Sequence, residues 1–401
     1  MRIVVLALGV PYPPLGGGLT RTYHLLRALA SQHDVTLAAF TYGDTHDPPP
    51  YPLELHAVPW AWSRDYEAMT LGAAAASQRA YERLAFETAE PWFAGVMDPS
   101  AMDAALASIF RQPCDLVLLE GSPMARFLPV IPIGIPKVLD LLDIHTVMAE
   151  RALRRAHSVE RALEFDYQRI LAFERDAAQA CDACLSVSHA DAGVARTLLE
   201  ARAVHVVPNG VDTAYFTPAS GATDPGMLLF TGRMSYAPNV DAVRHFVDDI
   251  LPRIRHEAPS AVLHVVGAAP TEEVIALGQD SVIVHGRVDD VRPFQHRAEV
   301  VVAPIRSGGG TRLKVLEAAA CGKAIVVTPL GVEGLPLRHG MEVVIADSSA
   351  DFAAAVVALL RDPARRRELG GNARAATREF DWAAIGESCR AILEQVVTDR
   401  A

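Results

Sequence analysis

The stretch Pro304–Gly334 reads PIRSGGGTRLKVLEAAACGKAIVVTPLGVEG. An apolar run, Glu299–Ala303, leads into it and reads as a buried strand. Gly308, Gly309 and Gly310 make a turn. From Thr311 the apolar residues Leu313, Leu316, Ala319 and Ala320 recur at helical steps. Thr311 is a good N-cap and Gly322 a good stop. A second buried strand follows at Ala324–Thr328. Strand, glycine turn, helix, strand is the unit from which α/β folds with parallel sheets are built.

The unit also has a chemical meaning. Glycines let the backbone approach a ligand, and the free N–H groups of a helix N-terminus carry partial positive charge, so together they suit an anion such as phosphate. Arg312 and Lys314 fall in the first turn, where a cation opposes the helix dipole unless an anion lies near. Glu317 lies further along a largely apolar helix, where a carboxylate can hold a pair of sugar hydroxyls. A tight turn beside three surface charges reads the stretch equally well, because glycine loops before helices are common.

Working outward, the chain has 401 residues, which favours two domains over one. Half the residues are hydrophobic and 21% are charged, the balance of a soluble globular protein. A net charge of -11 argues against a general nucleic-acid binder. The N-terminal MRIVVLALGVPYPP is too short to span a membrane and lacks a signal-peptide cleavage pattern. The five cysteines are scattered, as in a reducing cytoplasm, and Cys181 with Cys184 is read as packing. A cytoplasmic location follows as the expectation.

The first half offers strands at Arg2–Leu8, Asp34–Phe40, Asp115–Leu119, Lys137–Leu142, Cys184–Val187 and Val204–Val207. Helices are expected at Thr20–Ser31, Ser63–Ala89, Pro99–Arg111, Ala149–Ala180 and from Ser188 to about Glu200. Pro48–Pro59 reads as a surface excursion, and PNGVD at Pro208–Asp212 has the composition of a linker. A second series begins at Met227, with strands at Met227–Thr231, Ala261–Val266, Ser281–Val284, Val300–Ala303, Ala324–Thr328 and Glu342–Ile345. The chain closes in helices at Ala350–Arg361, Pro363–Glu379 and Asp381–Val397. The expectation is two doubly wound Rossmann-like α/β domains facing a central cleft.

Glycines stand just past five of the strands: Gly16–Gly18, Gly232 with Arg233, Gly267, Gly286 with Arg287, and Gly308–Gly310. Ligands of open α/β sheets bind at those strand ends. The first loop is neither GxGxxG nor a P-loop.

With these motifs in place the chain resembles the nucleotide-sugar glycosyltransferases of the GT-B fold. More narrowly, it is similar to family 4, whose members act with retention. The resemblance covers nearly the whole chain. It is strongest in PNGVD, FTGRMSYAPNVDA, VHGRVDDVRPF and APIRSGGGTRLKVLEAAACGKAIVVTPLGVEGL. It implies an acceptor-side domain at 1–207, a nucleotide-sugar domain at 208–378, and a last helix at 379–401 that returns to the first domain. It implies that Glu317, the second glutamate of the family's E-x7-E motif, holds the ribose hydroxyls. Arg233 would contact the donor diphosphate. The backbone of Gly286, Arg287 and Val288 would read the base. Gly16, Gly17 and Gly18 would close over the donor. Gly232 and the turn Gly309, Gly310, Thr311 would face the transferred sugar and the β-phosphate.

There are departures from the family. The first motif glutamate falls at Gly309, which has no carboxylate, and the family's second diphosphate lysine is replaced by Ala237-Pro238-Asn239. Arg312 or Lys314 can supply that charge, and Lys314 is preferred because it shares a helix face with Glu317. His145, just past the Lys137–Leu142 strand, is the candidate for orienting the donor sugar, with Asp143 behind it and a helix cap as the plainer role. Glu333 is read as structural. Asp-x-Asp is absent, so no metal and no cofactor are expected.

Arg151, Arg154, Arg155, Arg161 and Arg169 are read as a solvated face because Glu150, Glu160 and Glu164 accompany them. A surface for an anionic acceptor, or peripheral membrane contact, is the other reading. The resulting function is transfer from a UDP- or GDP-sugar to a glycan, lipid-linked or small-molecule acceptor. A sugar-nucleotide epimerase of the same fold, or an inactive nucleotide-sugar-binding scaffold, is the alternative.

Overall fold

The computed structural model describes residues 1–14, 16–41, 47–61, 91–95, 97–155 and 160–400. The helix expected at Ser63–Ala89 lies outside them. The chain divides into two compact units. Unit 1 is Met1–Pro208 with Gly386–Ala401, and unit 2 is Asn209–Ile385.

Unit 1 is built on β1 (Arg2–Ala7), whose Ile3, Val4, Val5 and Leu6 are fully buried. A strand covered on both faces needs apolar residues at every position, which is why it reads as a continuous run. The other strands are β2 (Asp34–Thr41), β3 (Glu54–Pro59), β4 (Leu116–Glu120), β5 (Lys137–Leu141), β6 (Ala183–Ser186) and β7 (Val204–Val206). All pair in parallel, in the order β3-β2-β1-β4-β5-β6-β7.

Unit 2 repeats the plan with β8 (Met227–Thr231), β9 (Val262–Val266), β10 (Val282–Gly286), β11 (Val300–Ala303), β12 (Ala324–Val327) and β13 (Val344–Ile345), in the order β10-β9-β8-β11-β12-β13. Its core gathers Phe230, Val302, Leu316, Ile325 and Phe352 among others. In both sheets the winding reverses beside the first strand. The switch points are therefore β1/β4 and β8/β11, and the crevice outside the strand carboxyl ends at such a point is where ligands sit.

The helices include α1 (Gly17–Ala30), α2 (His145–Arg155), α3 (Glu160–Ala180), α4 (Ala237–His245), α5 (Leu313–Ala320) and α6 (Trp382–Arg400). From Gly386 onward α6 belongs to unit 1. A Cβ on Gly386 would lie 2.5 Å from the Ala28 Cβ on α1, and Glu394 meets His33 at 3.0 Å.

Several expectations are corrected. Helix α1 begins at Gly17 rather than Thr20, so two of the three loop glycines form its first turn. The excursion at Pro48–Pro59 contains β3, an edge strand whose proline closes it, and edges tolerate proline because one side of the ladder is unpaired. The described residues of the helical stretch expected over Ala149–Ala180 lie in α2 and α3, and the first of these begins earlier, at His145. PNGVD is no loose linker: Asn209 and Val211 are buried, and Val211 bridges to Asp381. Gly210 is required there, because a Cβ would lie 2.6 Å from the Phe380 carbonyl oxygen.

Candidate functional site

At the β8/β11 switch point two loops meet. One follows β8 and carries Gly232 and Arg233; the other follows β11 and carries Gly308–Gly310. A Cβ on Gly308 would lie 3.1 Å from both Pro238 Cγ and the Tyr236 hydroxyl, so the loops are in contact. The positive φ angles of Gly308 (97°) and Gly310 (69°) require glycine for the turn.

Thr311 does not cap the helix. Helix α5 starts at Leu313 with Arg312 at the N-cap and no side-chain cap bond. The buried Arg312 guanidinium instead donates to the Gly309 carbonyl, and at 3.5 Å to that of Ser307, holding the glycine turn from within. Gly322, at φ 67°, follows the helix end as expected.

Lys314 Nζ donates to Asn239 Oδ1 at 2.6 Å and lies 4.2 Å from the centre of the Phe230 ring. Asn239 Nδ2 in turn donates to the Arg233 carbonyl at 2.8 Å. Arg233 itself is exposed, with Nε donating to Ser235 Oγ at 3.0 Å. The structure therefore joins α5 to the Arg233 loop through one buried amide, which in the sequence stands out only as a lysine's replacement. The signal in the sequence was the segment Ala237-Pro238-Asn239, which stands where the family has its second lysine.

Burial pulls the Lys314 ammonium down from 10.5 to about 7, with the Arg312 charge adding and Glu317 opposing. Burial pushes Glu317, one turn on, up from 4.5 to about 7 against the opposing pull of Lys314. Two buried hydroxyls, Thr231 Oγ1 at the end of β8 and Thr311 Oγ1 just before α5, have no hydrogen-bond partner among the described residues.

The glycines past β8, β9 and β10 form a line. The Gly232 N–H donates to the Val266 carbonyl at 3.1 Å, and the Gly267 N–H to that of Gly286 at 2.9 Å. A Cβ on Gly267 would fall 1.7 Å from the Gly232 oxygen, so only glycine fits. Arg287 beyond this line is exposed, and Val288 packs partly on the core.

In unit 1 the carboxyl ends of β1 and β4 carry Gly16–Gly18 and Glu120. Gly16 (φ 103°), Gly17 and Gly18 are exposed at the start of α1. Thr22 Oγ1 lies 3.1 Å from the Gly18 carbonyl oxygen and 3.2 Å from Glu120 Oε2. His145 is the first residue of α2, past β5. Its backbone N–H donates to Glu174 Oε1 at 3.0 Å, its Nδ1 lies 3.3 Å from the same oxygen, and its ring packs on Phe93.

Glu174, on α3, also accepts from Ser122 Oγ at 2.6 Å and Thr146 Oγ1 at 2.7 Å. Burial alone would raise its pKa; the bonds from His145, Ser122 and Thr146 outweigh that and hold it below the ordinary range. Sequence reasoning missed Glu174 because nothing in the spacing links it to a residue 29 positions away. Asp143 and Glu333 lie in the loops after β5 and β12.

On the arginine-rich helices Arg154 pairs with Glu150 in solvent, as a solvated face requires, whereas Arg169 pairs with the buried Asp166 and is itself largely covered; the side chains of Arg155 and Arg161 lie outside the described ones. Among the described residues no helix is long and apolar enough to cross a membrane, and no group of three or more His, Cys, Asp or Glu could hold a metal ion.

The family described as "Glycosyl transferases group 1" matches residues 225–362, most of unit 2. D-inositol 3-phosphate glycosyltransferase of Xylanimonas cellulosilytica is 32% identical over 204 residues, 45% of this chain and 48% of that protein. The chain spans about half the length of the curated relatives first matched. Sucrose-phosphate synthase of Thermosynechococcus elongatus superposes over 100% of both chains, with TM-score 0.73 and 17% identity. Anabaena HepE in complex with UDP covers 98% of this chain and 100% of its own, with TM-score 0.66 and 15% identity. Residues 225–362 thus match the group 1 glycosyl transferase family, and the two parallel-sheet units have the GT-B fold.

Proposed function

We propose that the protein transfers a sugar from a nucleoside-diphosphate sugar, with UDP or GDP as the nucleotide, to a glycan, lipid-linked or small-molecule acceptor with retention of configuration. The observation that carries the reading is the joining of α5 to the Arg233 loop through Lys314 and Asn239 at the β8/β11 switch point. A sugar leaves a nucleoside diphosphate as negative charge grows on the β-phosphate. Arg233 and Lys314 stabilise that charge. The orphan hydroxyls of Thr231 and Thr311 offer further bonds to the same ligand.

In this reading Glu317 accepts the ribose hydroxyls. The N-terminus of α1 at Gly16–Gly18 and His145, held by Glu174, serve the donor sugar. Gly286–Val288 serve the base. No resident metal or cofactor takes part. The departing phosphate takes the acceptor's proton, so no protein nucleophile is required.

Gly309, where the family has a glutamate, supports a second reading as a binding scaffold without turnover. A thermal-shift panel of UDP-, GDP-, ADP- and dTDP-sugars, followed by product analysis with and without acceptor, separates the readings. Transfer, or slow donor hydrolysis, is the expected result; binding with no turnover favours the scaffold, and epimerised donor without acceptor favours an epimerase. Glu317→Ala is expected to weaken nucleotide binding about tenfold or more while leaving the unliganded melting temperature nearly unchanged. If the variant melts earlier but binds normally, the ribose role is wrong.

A further inference from the structure

We infer that Asn239 is a positioning residue of the donor site: its side chain ties the Lys314 ammonium to the Arg233 loop, so that both serve one diphosphate. The inference rests on the reading of this site as the diphosphate site. Asn239 is buried, and its amide is used at both ends. Its oxygen accepts from Lys314 at 2.6 Å and its nitrogen donates to the Arg233 carbonyl at 2.8 Å. Its own backbone N–H donates to Tyr236 at 2.8 Å, which closes the loop into the start of α4.

The neighbouring glycine points to the same requirement. A Cβ on Gly232 would lie 2.8 Å from Asn239 Nδ2 and 2.8 Å from Lys314 Nζ. Glycine is needed there to leave room for the bond between them. The geometry also explains how a buried lysine remains available. A neutral amide holds the ammonium without neutralising it, whereas a carboxylate in the same place would cancel the charge that the ligand needs.

The charged groups acting on Lys314 are Arg312 and Glu317 on its own segment. The Phe230 ring faces it from β8 and the neutral Asn239 from α4, while Asp241 on α4 is engaged by Arg306. Replacing the amide by a carboxylate is therefore a specific perturbation of this lysine.

The test uses the full chain and calorimetric binding of UDP, GDP, ADP and dTDP between pH 6 and 9, with melting temperatures for every variant. In the wild type, binding should weaken above about pH 7 as Lys314 loses its proton. Asn239→Asp, an isostere, should move that break upward by about one pH unit or more. Asn239→Ala and Gly232→Ala should each weaken binding about tenfold or more. Lys314→Met should remove the break, which assigns it.

A break that stays in place in Asn239→Asp, with Asn239→Ala and Gly232→Ala lowering only the melting temperature, overturns the positioning role and leaves the diphosphate reading intact. Wild-type protein that binds none of the four nucleotides overturns that reading, and this inference with it.

Discussion

At the scale of single residues, the proposed donor site sets a buried lysine one turn from a buried glutamate. Lys314 and Glu317 are both brought to about 7 by burial, from opposite sides, so neither is fully charged in the empty protein at neutral pH. A diphosphate beside Lys314 favours its charged form and raises its pKa again. Binding of UDP or GDP at pH 8 is therefore expected to take up protons. The measurement is the binding heat in buffers of different ionisation enthalpy. A buffer-dependent heat that disappears in Lys314→Met supports this account, and a heat independent of buffer contradicts it. Arg233, Lys314 and Glu317 were legible as candidates because their residue types and strand-end positions are written in the chain. Asn239 and Glu174 were not, since each acts through partners far away in sequence, Lys314 and His145 respectively.

At the scale of elements, the parallel strands were readable nearly to their ends because strands covered on both faces are continuous apolar runs. Strand β3 was not, because prolines in its surroundings signal a loop and only pairing with β2 at an edge makes it a strand. The start of α5 was misread for a physical reason as well. Thr311 has the chemistry of a cap, but Arg312 occupies the position and turns its guanidinium onto the glycine loop.

The line of glycines past β8, β9 and β10 gives an element-scale prediction. Gly267→Ala drives a methyl group into the Gly232 carbonyl, and it should destabilise the fold by about 3 kcal/mol in chemical denaturation. Gly193→Ala, at a helical position where a Cβ meets nothing within 4 Å, should cost much less than that. Equal losses in the two variants would show that the glycine line is not a packing requirement.

At the scale of the whole molecule, unit 1 is held around a buried charged cluster that joins elements distant in sequence. Arg21 on α1 pairs with Asp140 on β5 at 2.7 Å and donates to the Val207 and Pro208 carbonyls at 2.8 and 3.1 Å. Glu120 on β4 lies beside them with one oxygen unpartnered. Burial, with Asp140 adding and Arg21 opposing, raises its carboxyl from 4.5 to about 8.

The folded state thus holds a proton that the unfolded chain has released. The stabilisation is complete below about pH 4.5 and is lost as pH rises through about 8. Glu120→Gln keeps the neutral form, so denaturation at pH 5, 7 and 9 should show a smaller loss of stability in the variant than in the wild type. Parallel slopes would mean that Glu120 is ionised in the folded protein. None of this cluster was legible in the sequence, because burial of a charge is decided by which elements pack together. The two α/β series were legible, and with them the switch point that gathers the site.

The most direct measurement is the turnover rate and donor KM of Lys314→Ala beside Arg233→Ala and Arg312→Ala, on the donor that the panel selects. The central claim is that Lys314 and Arg233 together stabilise a departing diphosphate. A cation that meets charge as it develops contributes on the order of 3–4 kcal/mol to lowering the barrier. Lys314→Ala and Arg233→Ala should each lose about two to three decades of turnover, with a smaller change in donor KM. Arg312→Ala should act mainly by loosening the glycine turn. A Lys314→Ala protein that turns over at the wild-type rate, with only Arg312→Ala impaired, would contradict the account.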